Sequence, residues 1–316
     1  MKNQIYTALL SLVLLAALAC GIGRGAALGP LRLSQDREAV TVLSGERPVL
    51  EYRLDASPRK PFVSKLFSPS GVQVLRDSPA DHKHHHALMF ALAVNKVDFW
   101  AEKDGAGGIE KHRSVQISKE SRRSGARAAG FVQELDWADL PSGDSLLAEQ
   151  RRIEVLEGED IPATLLTWRS RLVPARGRAS VELTGSHYFG LGMRFVESMD
   201  RGGRFFNSEG LEGELVRGSE RLAPARWSAY SAAADGKNVT VAIFDHPANL
   251  RHPARMFTMS PPFAYMAATL NLWKEPFTLQ AAKPLELAYG VALWDGAIEP
   301  AQDESLCRRW VKLARR

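Results

Sequence analysis

The feature that most constrains the fold is a series of short apolar runs, many rich in β-branched residues, which Gly, Pro, Ser and Asp interrupt roughly every ten residues. Several runs alternate apolar and polar residues with a period of two, the pattern of a half-buried β-strand. The clearest runs lie at residues 39–44, 48–54, 71–77, 113–121, 179–185, 238–245 and 285–296. The chain is therefore predicted to be all-β, a large antiparallel β-sandwich.

Two segments need a choice between helix and strand. Residues 146–158 (LLAEQRRIEVLEG) could form a helix, but their flanks resemble two long antiparallel strands, so we predict a strand. At the end of the chain, Leu306, Trp310 and Leu313 recur at spacings of four and three, which places them on one face of a helix. We therefore predict one β-sandwich domain over residues 28–316 that ends in a short helix.

The chain has only two cysteines, Cys20 and Cys307. Cys20 falls in a segment that we predict to be removed or lipidated, which leaves Cys307 without a partner. The fold is therefore expected to depend on a hydrophobic core and not on disulfides, and the chain is long enough to form one.

The first 27 residues are predicted to be a signal peptide. After Lys2, an uncharged apolar run of 15 residues covers positions 5–19, which is too short to span a bilayer comfortably. Cleavage could follow Ala19 or Ala27, and Cys20 offers a third option, lipidation at a lipobox-like site. The protein is expected to be exported to the periplasm or the exterior, free or lipid-anchored through Cys20, with no membrane span in the mature chain.

The net charge of +5 does not indicate nucleic-acid binding. Basic clusters such as Arg122-Arg123 and Arg151-Arg152 are short, and acidic residues separate them. Nucleic-acid sites usually carry a basic stripe, which this sequence lacks. Nucleic acid is therefore not an expected partner.

The stretch DHKHHHALMF (81–90) holds four of the eight histidines within five residues, directly before an apolar run. On an extended chain His82, His84 and His86 would share one side, so His82 and His84 could bind a divalent metal with a third ligand from elsewhere. Asp81 could orient one imidazole. Two other interpretations stay open: a polar substrate site without metal, and a solvated turn.

A second polar segment, FDHPANLRHP (244–253), also follows a predicted strand and also contains Asp-His. It supplies Asp245, His246, Asn249 and His252, and its two prolines stiffen the loop. Loops at the end of a sandwich cluster at one rim, so we expect this segment and the histidine cluster to line one pocket. The alternative is a pair of unrelated proline turns.

The segment DHKHHHALMFALAVNKVDFWAE (81–102) resembles the signature of the bacterial PmoA-like family of uncharacterised exported proteins. Residues 66–77, 187–195 and 242–253 are also similar to that family. Its name comes from a methane-oxidising membrane enzyme subunit, and this chain shows no spanning helix after its signal.

By position, the resemblance implies a set of polar site residues, namely His82, His84, His85, Asn95, Asp98, Glu102, Arg194, Asp245, His246, Asn249 and His252. It also implies a galactose-mutarotase-like supersandwich and a role in sugar degradation. The chain departs from the family at His86, where Arg is usual, and at Lys83, where Pro is common, so roles at these two positions do not carry over. Trp100 and Tyr188 are candidate platforms for a sugar ring, although each could instead belong to the core.

The leading functional hypothesis is a carbohydrate-active enzyme of epimerase, lyase or hydrolase type. His84 or His85 is assigned as general acid or base because imidazole titrates near neutral pH, with Glu102 or Asp245 as its counterpart. The substrate-binding candidates are His82, Asn95, Asp98, Arg194, His246, Asn249, His252, Trp100 and Tyr188. The alternative is a non-catalytic glycan-binding or surface module. In both cases the expected partner is a carbohydrate.

Overall fold

The computed structural model describes residues 29–54 and 59–314. The predicted signal peptide, with Cys20, lies outside the described residues. Within them the chain forms a 3-10 turn (Glu197–Met199), a helix α1 (Pro300–Leu313) and a series of strands. In chain order the strands are β1 (Leu31–Gln35), β2 (Ala39–Ser44), β3 (Arg47–Arg53), β4 (Phe62–Leu66), β5 (Leu88–Ala91), β6 (Ala93–Val94), β7 (Val97–Asp98), β8 (Gly108–Arg123), β9 (Ala126–Asp139), β10 (Ser145–Glu157), β11 (Thr164–Pro174), β12 (Ser180–Thr184), β13 (Gly190–Arg194), β14 (Arg204–Asn207), β15 (Glu214–Arg217), β16 (Glu220–Pro224), β17 (Trp227–Ala234), β18 (Lys237–Asp245), β19 (Arg255–Met259), β20 (Tyr265–Thr269), β21 (Phe277–Gln280) and β22 (Leu285–Asp295).

The strands form three antiparallel sheets. A ten-stranded sheet has the order β1-β2-β3-β4-β5-β13-β20-β19-β16-β15. An eight-stranded sheet has the order β14-β17-β18-β22-β11-β10-β9-β8, and a small sheet has the order β21-β12-β6-β7. Neighbouring strands pair antiparallel throughout. The prediction of an all-β antiparallel fold is confirmed.

The main hydrophobic core lies between the two large sheets. The ring of Tyr52, on the ten-stranded sheet, lies 5.0 Å from Phe131 and 6.3 Å from Trp168, both on the eight-stranded sheet. Burial of apolar area stabilises a fold by about 25 cal/mol per Å². Cys307 is buried as a free thiol. The described residues therefore depend on the hydrophobic core and not on a disulfide at Cys307.

Period-two patterning predicted most strands correctly. Residues 146–158 fall in β10 apart from the last, and along that strand Glu149, Arg151 and Ile153 are buried while Gln150 and Arg152 are exposed. This alternation confirms a strand in place of the competing helix.

One predicted strand, at residues 71–77, is wrong. The segment makes only isolated bridges, such as Leu75 with Phe195 and Asp77 with His86. The side chain of Gln73 accepts a hydrogen bond from the backbone N–H of Leu75 and donates one to its carbonyl. Such local side-chain bonds compete with the pairing of a regular strand.

Helix α1 covers part of the outer face of the eight-stranded sheet. Leu306, Trp310 and Leu313, the residues predicted to share one face, are all buried there with Leu165. The Trp310 indole donates a 3.0 Å hydrogen bond to the hydroxyl of Thr167. The predicted C-terminal helix is therefore confirmed. No helix among the described residues is both long and apolar enough to cross a membrane.

Helix α1 also buries an acid. Both carboxyl oxygens of Asp303 are buried and have no hydrogen-bond partner among the described residues. Burial, with a smaller effect from the charge of Glu304, raises the pKa of Asp303 from 3.8 to about 8. The folded protein therefore binds a proton here that the unfolded chain releases above about pH 4.

We predict that Asp303→Asn stabilises the protein, by roughly 2–5 kcal/mol at pH 8, since each pKa unit corresponds to about 1.4 kcal/mol. The folded-state pKa of Asp303 is raised, so its contribution to stability is complete below about pH 4 and is lost as the pH rises towards 8. Urea unfolding at pH 5 to 8 should therefore show a difference in the free energy of unfolding between Asp303→Asn and the wild type that grows with pH. An advantage independent of pH, or one shared by the exposed Asp104→Asn, would contradict this account.

Candidate functional site

A cavity of about 290 Å³ lies beside the histidine cluster, and His82, His84 and His85 line it. Arg194, at the end of β13, points to the same side, since it contacts Asp81 and Phe263. The next residue, Phe195, packs on Tyr230 of the eight-stranded sheet at 5.2 Å. The cavity therefore lies on the face of the ten-stranded sheet that is turned away from the main core.

The histidine segment is turned, not extended. The N–H of His85 donates to the carbonyl of His82 at 2.9 Å, and the N–H of Ser78 donates to the carbonyl of His85 at 2.9 Å. The expectation that His82, His84 and His86 share one side is therefore wrong. In the structure His85 lines the cavity together with His82 and His84. His86 is buried and contacts Asp77 and Glu102 instead.

The three cavity imidazoles form a compact cluster. The rings of His82 and His85 stack at 4.7 Å, and His84 meets His85 edge-on at 4.7 Å. Burial, followed by the positive charges of His84, His82 and Arg194, lowers the pKa of His85 to about 2. Burial, followed by the charge of Lys60, also lowers the pKa of His84. His85 is therefore a neutral imidazole at neutral pH.

Asp81 orients His82. The carboxylate of Asp81 lies 3.0 Å from Nδ1 of His82 and accepts a 3.1 Å hydrogen bond from the guanidinium of Arg194. Although burial acts to raise the pKa of Asp81, the bonds from His82 and Arg194 outweigh it and lower that pKa to about 2. An ionised carboxylate only accepts, so the Nδ1–H of His82 donates to Asp81 and Nε2 is the ring nitrogen that Asp81 does not contact. Arg194 is itself held against the ring of Phe263 at 3.5 Å.

Glu102, predicted to be catalytic, does not line the cavity. Its carboxylate accepts a 2.6 Å bond from Lys60 and lies 2.9 Å from Nε2 of His86, whose Nδ1 lies 2.7 Å from Asp77. Burial acts to raise the pKa of Glu102. The bonds and charges of His86 and Lys60 outweigh burial and lower this pKa to about 2. Glu102 therefore holds the base of the histidine segment in place, and the structure does not bring it into the cavity lining.

A carboxylate that the sequence analysis missed does line the cavity. Glu220, at the start of β16, lies 2.9 Å from Nε2 of His187 and accepts a 2.8 Å bond from Arg217. Burial acts to raise the pKa of Glu220, yet the bonds from Arg217 and His187 leave it lowered. The cavity thus contains an ionised carboxylate at neutral pH. Its position, at the first residue of a short strand, carries no motif that sequence inspection could have recognised.

Aromatic rings form the wall of the cavity. Trp100 stacks on Phe189 at 5.0 Å and meets Tyr188 edge-on at 5.3 Å, and both Trp100 and Tyr188 line the cavity. Only 2% of Trp100 is exposed, so most of this ring belongs to the core. Of the two predicted platforms, the half-buried Tyr188 has more of its surface available to a ligand.

Asn95 and Asp98, predicted to bind substrate, instead accept hydrogen bonds from the backbone near the cavity wall. The side-chain oxygen of Asn95 accepts a 2.8 Å bond from the N–H of Glu182. Asp98 accepts bonds from the N–H groups of Trp100 and Ala101 at 2.7 and 3.1 Å. Neither residue lines the cavity, and Asp98 instead fixes the turn that presents Trp100.

The segment 244–253 lies elsewhere, and the predicted common pocket does not form. It joins the end of β18 to Arg255 at the start of β19, whereas the cavity is lined by Met259 at the opposite end of β19. An antiparallel strand of five residues therefore separates the two histidine segments.

The polar groups of that segment bind one another. Asp245 lies 2.7 Å from Nδ1 of His252 and accepts a 2.7 Å bond from the amide of Asn249, whose side chain also bonds the backbone of Ala288. The ring of His246 lies 5.7 Å from Trp310 of helix α1. This network ties the loop to β22 and α1, so the roles predicted for Asp245, His246, Asn249 and His252 at the cavity are not supported.

The metal predicted at His82 and His84 stays a prediction. Their rings meet edge-on with centroids 5.7 Å apart. Among the residues that the structure describes, no group of three or more His, Cys, Asp or Glu is placed to hold a metal ion.

Comparison with known families gives one match, to a family of unknown function, DUF6807, over residues 39–308. The chain belongs to this family. The match does not test the resemblance to the PmoA-like family, which stays a prediction. A comparison with curated protein sequences finds no match.

Several solved structures are similar in fold at low identity. A GH36 alpha-galactosidase from Geobacillus stearothermophilus, in complex with raffinose, has 11% identity and a TM-score of 0.48 over 90% of this chain and 43% of its own. YeaD from Salmonella typhimurium has 15% identity and a TM-score of 0.42 over 84% and 94%. A galactose mutarotase related enzyme from Lactobacillus acidophilus has 7% identity and a TM-score of 0.34 over 85% and 99%. This chain spans about two fifths of the length of the galactosidase. Scores under 0.5 support no argument about activity.

We predict that Gly192→Ala distorts the cavity wall and destabilises the protein by about 1–3 kcal/mol, as overpacked sites do. A Cβ at Gly192 would clash with the hydroxyl of Tyr265, which is buried and lies 5.1 Å, ring to ring, from His85. Thermal unfolding of Gly192→Ala, Tyr265→Phe and the double variant tests this. Removal of the hydroxyl should recover part of the loss, and strictly additive effects would contradict the proposed clash.

Proposed function

We propose that the protein is a carbohydrate-active enzyme whose active site is the cavity beside the histidine cluster. The observation that supports this best is that one small cavity is lined both by the Asp81-oriented imidazole of His82 and by the carboxylate of Glu220. A volume of about 290 Å³ is at the lower end of the range for small-molecule sites, roughly 300–1,000 Å³, which favours a small saccharide over a long chain.

The chemistry would be general acid–base catalysis. Ionised Glu220 would take a proton from one substrate atom and return it to another, and His82 would take and return a second proton through Nε2. The Asp81 carboxylate on Nδ1 would stabilise the positive charge that His82 then carries, as in other Asp–His pairs. Epimerisation, elimination and hydrolysis of sugars all need such a pair, so the reaction type stays open among them.

The other lining groups would hold the substrate. His84 and His85, first assigned as acid or base, would hydrogen-bond sugar hydroxyls, since a neutral imidazole has one donor and one acceptor. Tyr188 would face the apolar side of the ring. The sequence analysis assigned proton transfer to His84 or His85 and substrate binding to His82. The proposal assigns proton transfer to His82 and substrate binding to His84 and His85.

The proposal includes export, which depends on the sequence of residues 1–27 alone. An exported enzyme of this kind would act on sugars of the environment, which agrees with the sugar-degrading role that the PmoA-like resemblance implies.

The experiment is NMR of the protein with a panel of neutral and oxidised monosaccharides and their methyl glycosides. Spectra in D₂O would report anomer exchange, deuterium uptake at carbon, new alkene signals and methanol release. His82→Gln and Glu220→Gln should each lower turnover about 10²–10⁴-fold, because each removes a proton-transfer group. Substrate binding, followed by line broadening, should change much less.

Matched controls are Lys83→Gln, an exposed neighbour on the same segment, and Glu197→Gln, whose side chain is 81% exposed. Both should keep wild-type turnover. Saturable binding without turnover by the wild type would contradict catalysis and support the alternative, a glycan-binding module. Equal turnover in all variants would exclude His82 and Glu220 from the chemistry.

A further inference from the structure

The eight-stranded sheet carries a second concave surface, on its outer face where helix α1 ends. This groove has a volume of about 620 Å³ and shares no lining residue with the histidine cavity. Four arginines line it, Arg123 on β8, Arg152 on β10, and Arg169 and Arg171 on β11. We call this surface the arginine groove. Arg169 also donates to the carbonyl of Ala314 at the end of α1, which marks one border of the groove.

Positive charge exceeds negative charge in the arginine groove. Four guanidinium groups face two carboxylates, those of Glu154 and Glu286. Glu154 binds Arg123 closely, at 2.8 Å, but Arg152 only at 3.7 Å, and Arg171 lies 3.9 Å from Glu286. The side chains of Arg152 and Arg171 are 46% and 49% exposed. Their guanidinium groups are therefore accessible and only loosely paired.

The strand register places two of these arginines directly opposite each other. Arg152 on β10 pairs with Arg169 on β11. Side chains at directly opposite positions have Cβ atoms about 4.5–5.5 Å apart, and like charges there destabilise a sheet. Both positions face outwards, where many polar residues would serve the fold. Placing two like charges opposite each other costs some stability, which the bond from Arg169 to Ala314 offsets only in part.

We propose that the arginine groove binds an acidic polysaccharide, a glycan chain with repeated carboxylate or sulfate groups. Guanidinium groups bind such oxyanions through two parallel hydrogen bonds. Arg169 and Arg171 are two residues apart on one strand face, about 7 Å, and Arg152 lies about 5 Å across from Arg169. A row of charges at this spacing on an open surface suits a chain better than a single ion.

Two other polyanions fit the lining less well. No aromatic side chain lines the groove, so it offers no platform for the base stacking that single-stranded nucleic acids use. Leu287 is the one apolar residue in the lining, so there is no apolar surface to insert into a membrane. Apart from Leu287 the lining provides charged and polar groups, which is what an acidic glycan requires.

The test is isothermal titration calorimetry with a heparin-derived hexasaccharide and with hexagalacturonate, at about 100 mM salt, where long-range attraction is largely screened. Arg152→Gln/Arg171→Gln should lower the affinity for at least one probe about tenfold, equivalent to about 1.4 kcal/mol. The control Arg32→Gln/Arg53→Gln removes the same charge from the ten-stranded sheet, at side chains 63% and 35% exposed. It should bind within about twofold of the wild type, and neutral maltohexaose should not bind.

A stability measurement separates binding from a structural role. Because Arg152 stands opposite a like charge, Arg152→Gln should leave the unfolding midpoint unchanged or raise it while affinity falls. No binding of either acidic probe to the wild type, or equal losses in the groove and control variants, would overturn the proposal. Tighter binding of a DNA oligonucleotide or of phosphatidylserine vesicles through the same arginines would also overturn it, in favour of that partner. None of these outcomes depends on turnover at the histidine cavity.

Discussion

The structure depends first on a buried arginine between the two large sheets. Arg151, fully buried on β10, binds Glu149 and Glu110 on its own sheet, both at 2.7–2.8 Å. Across the core it donates to the hydroxyl of Tyr52 and to the carbonyl of Pro61, at 3.2 and 3.0 Å. Loss of one partner from a buried pair typically costs about 3–5 kcal/mol, because it leaves a charge without compensation. Arg151 therefore stabilises one relative position of the two sheets, because its bonds to Tyr52 and Pro61 would break if the sheets shifted.

The same network extends to the site. Lys60 precedes Pro61, is fully buried, and donates to Glu102 and to the carbonyl of Trp100. Glu102 in turn holds His86 at the base of the histidine segment. A chain of buried polar contacts thus connects Arg151 in the core to the turn that presents His82, His84 and His85. The cavity is placed by buried polar contacts and not by the loop positions that the sequence suggested.

The sequence predicted the local structure well and the assembly of the site poorly. Alternating burial in β10 and the apolar face of α1 follow directly from residue periodicity, so both were correctly predicted. The common pocket of the two histidine segments failed, because β19 separates them and sequence periodicity gives no order of strands in a sheet. Glu220 was missed for a related reason. Its partner His187 lies far from it in the sequence, and only the fold brings the two together. Its other partner, Arg217, is close by, but the hairpin that joins them carries no recognisable motif.

The most direct measurement is a crystal structure of the protein with the saccharide that binds it best. The account predicts a sugar ring inside the cavity, with a hydroxyl about 2.6–3.2 Å from Nε2 of His82 or from the Glu220 carboxylate. Tyr188 should lie against the ring. A saccharide bound only at the segment 244–253, or on a surface remote from both His82 and Glu220, would contradict it.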